Sequence, residues 1–115
     1  MRRVIPANKV NHDYEKVLSE FVSALKNRLG EYLLMVYLTG SYARGDANDN
    51  SDLDVFCIFS TINQYVLENV GHCARNTSIP YDLLEINTQC LSVDEYKSSI
   101  FEDWSEYAIA ELNTV

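Results

Sequence analysis

Basic side chains are scarce in this sequence. Its 115 residues carry nine Lys and Arg against 17 Asp and Glu, a formal net charge of −8. Sequence-independent affinity for nucleic acid comes from clustered Lys and Arg, and these nine form no dense block, so a long DNA or RNA is disfavoured as substrate. A single nucleotide carried with a metal ion is not disfavoured, and a cationic substrate or basic partner also suits this balance. Cysteine is scarce as well: Cys57, Cys73 and Cys90 are odd in number and include no C-x-x-C pair. That argues against a disulfide framework or a zinc site and for unpaired thiols, with Cys57 in an apolar run as core. No apolar stretch approaches the roughly 20 residues of a membrane helix. The polar turn after Met-Arg-Arg-Val-Ile-Pro leaves no signal-peptide core, so the expected location is cytoplasmic and no membrane partner is expected. His12 and His72 read as surface or cap residues.

What is present is an ordinary globular composition, 47% apolar, without repeats or low-complexity linkers. It predicts one domain over residues 1–115, with 1–10 a polar lead-in. From Asn11 to Leu29 the apolar residues fall on one helical stripe, with Asn11 as N-cap and Gly30 as stop. Leu33 to Leu38 is a short apolar run ending at Thr39-Gly40 and reads as a buried strand. Gly40 to Asn50 is a polar loop. Asp52 to Phe59 alternates as a second strand, with Leu53, Val55, Cys57 and Phe59 on one face and Asp52, Asp54, Phe56 and Ile58 on the other. Thr61 to about Cys73 reads as a helix, Ile79 to Ile86 as a third strand, and Ser92-Val93-Asp94-Glu95 as a capping box. Short helical pieces are expected from there to about Leu112. The order implies an α/β or α+β fold, a small mixed sheet with helices packed against it.

The chemistry concentrates in Thr39-Gly40-Ser41-Tyr42-Ala43-Arg44-Gly45-Asp46 and in Asn50-Ser51-Asp52-Leu53-Asp54. Asp52 and Asp54, two apart on a strand, leave the same face. Two adjacent carboxylates repel unless solvent or a cation neutralises them, and hard oxygen ligands suit Mg²⁺. Gly40 and Ser41 stand where a buried strand ends. A glycine admits close approach of a ligand, and a helix starting at Ser41 would point free N–H groups at phosphate. A phosphate cradle beside a metal clamp fits a nucleoside triphosphate with its cation.

These motifs, Gly-Ser, then Ala-Arg-Gly, then Ser-Asp-x-Asp, resemble the signature of the nucleotidyltransferases typified by DNA polymerase β, and the sequence is similar to the minimal nucleotidyltransferases in particular. The resemblance implies the nucleotidyltransferase fold and transfer of a nucleoside monophosphate with two Mg²⁺ ions. Gly40 and Ser41 match the residues that hold the triphosphate, and Tyr42, next to them, is a candidate wall of the nucleotide pocket. Arg44 matches the arginine of the turn, which either contacts phosphate or, with Gly45, holds the loop. Asp52 and Asp54 match the metal-binding carboxylates. The third carboxylate of the family lies on a later strand and deprotonates the acceptor; Asp82 is the choice here, with Glu85 the alternative. The implied donor is ATP. Relatives of this size act as antitoxins beside a helical HEPN-type partner whose tyrosine is the acceptor. Antibiotic-modifying relatives usually add a helical domain, for which 115 residues leave little room unless a homodimer completes the pocket. A non-catalytic module that binds nucleotide or masks a partner is the rival reading, and a polymerase is the least expected. Phe101, Trp104 and Tyr107 share helical spacing and read as core or as a partner surface.

Overall fold

The structure, a computed structural model, describes residues 7–48, 50–81, 84–98 and 108–111. Helix α1 spans Ala7–Leu29. Its residues Val17, Phe21, Leu25 and Leu29, four apart, are fully buried, because that spacing sets them one above another on a single face. Strand β1, Leu33–Thr39, follows after a short turn. The one-turn helix α2, Gly40–Arg44, leads by a polar loop into β2, Leu53–Phe59. Helix α3 runs Gln64–Ser78 and ends in a single 3-10 turn, Ile79–Tyr81. Then come β3, Ile86–Ser92, α4, Val93–Lys97, and β4, Ala108–Glu111.

The four strands lie in the order β3-β2-β1-β4. β1 pairs antiparallel with β2 and β4, while β2 and β3, joined through α3, are parallel. This is the expected small mixed sheet with helices. The main core holds α1, α3 and one sheet face: Phe21 and Leu25, Val66 and Val70, and Leu53, Val55, Cys57 and Phe59 of β2. A bulge between Leu33 and Met35 shifts the alternation of β1, which is why Leu33 joins Val36 and Leu38 in that core. On the opposite face Tyr37 and Ile58 are also buried. Tyr96 of α4 stacks on Tyr37 with ring centroids 5.9 Å apart, and the two hydroxyls share a 2.8 Å hydrogen bond. That face is dry at its Ile58 end, whereas Asp52 at the other end is exposed.

Several expected boundaries move. Asn11 lies inside α1, which begins at Ala7. α3 is capped by Asn63, whose side chain accepts from the Val66 amide at 2.9 Å, and it runs five residues beyond Cys73, to Ser78. The strand expected over Ile79 to Ile86 starts only at Ile86, since a 3-10 turn takes up Ile79–Tyr81 after α3, and Ile79 is 69% exposed. The capping box at Ser92 and Glu95 is present in full. Beyond it the chain is not helical throughout: β4 pairs with the central strand β1, a tertiary pairing that overrides local preference. Phe101, Trp104 and Tyr107 fall outside the described residues, and no described helix is long and apolar enough to cross a membrane.

The three cysteines are free thiols that share the β2–β3–α3 layer, Cys57 and Cys90 being register partners. Burial pushes the Cys57 thiol well up, and Cys90 and Cys73 add to it. Burial also raises Cys73, against the pull of Arg28, and lifts Cys90 from the ordinary 9.0 to about 11. Above pH 9 the unfolded chain loses thiol protons that the folded chain keeps, so it binds fewer protons there. Stability is full below about pH 9 and declines as the pH rises towards 11. Urea unfolding at pH 8 and pH 10.5 should show this decline, and Cys90→Ala should reduce it, leaving the share of Cys57 and Cys73.

Candidate active site

The site is built where β1 ends. Thr39 is the register partner of Asp54, and its hydroxyl donates to the Asp54 carbonyl at 3.3 Å. Its side chain therefore makes no cap hydrogen bond to α2. At Gly40 the chain turns from strand to helix with φ 77°, a left-handed conformation that other residues rarely adopt. Space imposes the same choice. A Cβ on Gly40 would run into the Asp54 carboxylate, ending 3.1 Å from the Asp54 Cβ and Cγ as well as against Oδ2. The Gly40 backbone thus lies directly against the carboxylate.

Ser41 follows, partly exposed, and its carbonyl accepts the amides of Gly45 and Asp46, each at 2.9 Å. These bonds close α2, with Gly45 at φ 88° as its left-handed cap. Tyr42 anchors the helix. Its ring is buried in the core, 4.8 Å from that of Tyr14. This corrects the expectation for Tyr42: a single helical turn sends Ser41 outwards and its neighbour inwards, so the ring is core rather than a pocket wall. Arg44 is exposed and pairs with Asp46 at 3.4 Å, a surface contact that holds the loop and contributes little stability.

The loop then tightens. Asn48 Oδ1 accepts the Asn50 amide at 2.8 Å, Ser51 Oγ accepts the Asn48 amide at 2.9 Å, and the Ser51 amide donates to the Asn48 carbonyl at 3.0 Å. Side chains that imitate backbone turns explain the Asn- and Ser-rich composition here. This turn delivers Asp52, exposed, to the start of β2, with Asp54 half-buried two residues on. Gly40, Ser41, Asp52 and Asp54 are brought to one end of the sheet.

Asp82 lies outside the described residues. Glu85 is exposed just before β3, its carbonyl accepting the Leu53 amide at 2.9 Å. Among the described residues no group of three or more His, Cys, Asp or Glu side chains is placed to hold a metal ion. The residue that β3 sets beside Asp54 is Asn87, whose Nδ2 donates to Asp54 Oδ1 at 3.0 Å. Sequence reasoning missed it by drawing the strand too early. The capping box held the signal: Ser92 begins a helix, so the strand before it ends there, and counting back puts Asn87 near its start.

Comparison with known proteins agrees with the fold and with the resemblance to nucleotidyltransferases. The family described as "Nucleotidyltransferase domain" matches residues 18–107. A protein of Methanocaldococcus jannaschii named "Putative protein adenylyltransferase" is 39% identical over 54 residues, 47% of this chain and 54% of that protein. A second of that name from the same organism is 43% identical over 42 residues, 36% of this chain and 29% of that protein. The matches thus span about half or less of these relatives' lengths. A crystal structure titled "putative nucleotidyltransferase", from Sulfolobus solfataricus, superposes with a TM-score of 0.64, covering 87% of this chain and 86% of that one, at 23% identity. At that identity the likeness speaks for the fold alone.

The two left-handed glycines allow strain to be separated from collision. Nothing lies within 4 Å of a Cβ placed on Gly45, whereas one on Gly40 meets Asp54. Gly45→Ala should cost about 1 kcal/mol and Gly40→Ala roughly 1–3 kcal/mol. In urea unfolding the Gly40 variant should have the lower midpoint. It alone should displace the Asp54 side chain, read from its carboxyl resonance by NMR.

Proposed function

The chain belongs to the nucleotidyltransferase domain family, and on that premise we propose that it moves a nucleoside monophosphate, AMP from ATP, onto a hydroxyl of a protein partner. One observation carries the site: the Gly40 backbone pressed against the Asp54 carboxylate at the start of α2. It sets the start of a helical turn, with no side-chain cap from Thr39, beside an acidic clamp, the two halves that a triphosphate and its cation require. The nucleotide and the class of acceptor come from the names of the curated relatives.

The side chains present suit one divalent cation. Asp52 and Asp54 offer only hard oxygen donors, and two carboxylates completed by substrate phosphates are a usual complement for Mg²⁺. The second ion expected from the sequence would need Asp82. A bound cation would neutralise the triphosphate and the departing pyrophosphate. The chain's own part is positioning: Gly40 and Ser41 hold the phosphates, and Asp52 and Asp54 fix the side from which the charge is met. The acceptor oxygen forms a bond to the α-phosphorus, the α–β phosphoanhydride bond breaks, and pyrophosphate leaves with the bonding electrons. The hydroxyl proton passes to a carboxylate, for which Asp82 is proposed.

For the acceptor we propose a tyrosine of a helical, HEPN-type toxin, with this chain as the antitoxin. The resemblance to minimal nucleotidyltransferases supports that pairing. A second reading, nucleotide binding without transfer, is favoured by Asn87, which puts an amide rather than a carboxylate next to Asp54.

Incubation of the protein and Mg²⁺ in lysate of its source, with ATP labelled at the α- or the γ-phosphate, tests the proposal. Label should reach a protein from the α position only. Asp52→Asn should lower transfer at least about 100-fold, the loss that even indirect partners of a metal ligand can produce. Asp52 is exposed, so the variant should unfold within about 0.5 kcal/mol of the parent. An active, folded Asp52→Asn protein would refute the site assignment. Bound ATP without transfer would favour the second reading.

A further inference from the structure

The position of Asn87 beside Asp54 is strongly determined. β2 and β3 pair in parallel through seven consecutive partners, from Leu53↔Ile86 to Phe59↔Ser92, with no slip. A one-residue shift would turn Ile86, Thr88 and Cys90 away from the core, so packing of the whole strand fixes Asn87 beside Asp54. The Asn87 side chain is exposed, with water available to it, and still donates to Asp54 Oδ1 at 3.0 Å. The other carboxylate oxygen, Oδ2, faces the space that a Gly40 side chain would fill. Asp54 is thereby held from two sides, by backbone on one and by a neutral amide on the other.

We infer that Asn87 is a positioning residue: its neutral amide fixes the Asp54 carboxylate for the divalent cation that accompanies a nucleoside triphosphate, without adding a negative charge of its own. The inference rests on the reading of this site as a nucleotide and metal site. Affinity for a hard cation rises with the number of anionic ligands around it. A carboxylate at position 87 would add an anionic ligand beside Asp54 and favour holding the ion without nucleotide. An amide cannot do so, but its N–H group orients a carboxylate as well as any other neutral donor.

Mn²⁺ serves as the probe, its binding followed by electron paramagnetic resonance with and without a non-hydrolysable ATP analogue. The parent should bind Mn²⁺ weakly alone and tightly with the analogue. Asn87→Asp should tighten Mn²⁺ binding without nucleotide by about tenfold or more, as added ligand charge does. Asn87→Ala should weaken binding with the analogue by about tenfold, the effect of losing a partner that orients a metal ligand. Its unfolding midpoint should stay that of the parent, since the side chain is exposed. If Asn87→Ala binds within about twofold of the parent, or Asn87→Asp gains nothing without nucleotide, the inference is overturned while the site reading stands, provided Asp54→Asn abolishes binding. If the parent binds neither Mn²⁺ nor its nucleotide complex, both fall together.

Discussion

The contact between the Gly40 backbone and the Asp54 carboxylate organises this molecule's functional end. It needs the β1–β2 register that pairs Thr39 with Asp54, and it needs a residue without a side chain in a left-handed turn. Given both, the strand passes into a single helical turn that starts next to an acid. Strand pairing, turn chemistry and site chemistry are thus one constraint. That explains why the Gly-Ser and Asp-x-Asp motifs, separated along the chain, behave as one unit.

The rest of the fold supports this point of contact. The face of β1 and β2 towards α1 and α3 is core from Leu53 to Phe59, which makes the register costly to slip. The other face changes character along its length. Tyr37, Ile58 and Tyr96 close it at one end, while Asp52 is in water at the other and Asp54 is half-buried. A half-buried acid keeps enough hydration to stay tolerable without a ligand and is fixed enough to orient one. Parallel pairing with β3 then brings a third strand to the site, with the Asn87 amide donating to the Asp54 carboxylate.

Much of this was legible in the sequence where structure is decided locally. β1, β2, the Gly40 turn and the Ser92 capping box have short-range signals: apolar runs, strict alternation, a glycine and a cap. The carboxylates of β2 were legible because alternation fixes their common face. What was missed depends on distant partners. β3 was drawn over Ile79 because the segment is apolar, yet α3 and its 3-10 turn claim those residues, and the true strand has polar Asn87 and Gln89 on its outer face. β4 owes its form to β1 and has no strong pattern of its own. The inward turn of Tyr42 follows from how one helical turn sits on the core, which its neighbours in sequence do not determine.

A crystal structure of the protein with Mn²⁺ and a non-hydrolysable ATP analogue tests the central claim most directly. Anomalous scattering from manganese between Asp52 and Asp54, with the analogue's phosphates on the backbone of Gly40 and Ser41, is the predicted result. A nucleotide seated elsewhere, for example in the groove lined by Arg28, His72 and Arg75 between α1 and α3, with no metal at Asp54, would contradict it.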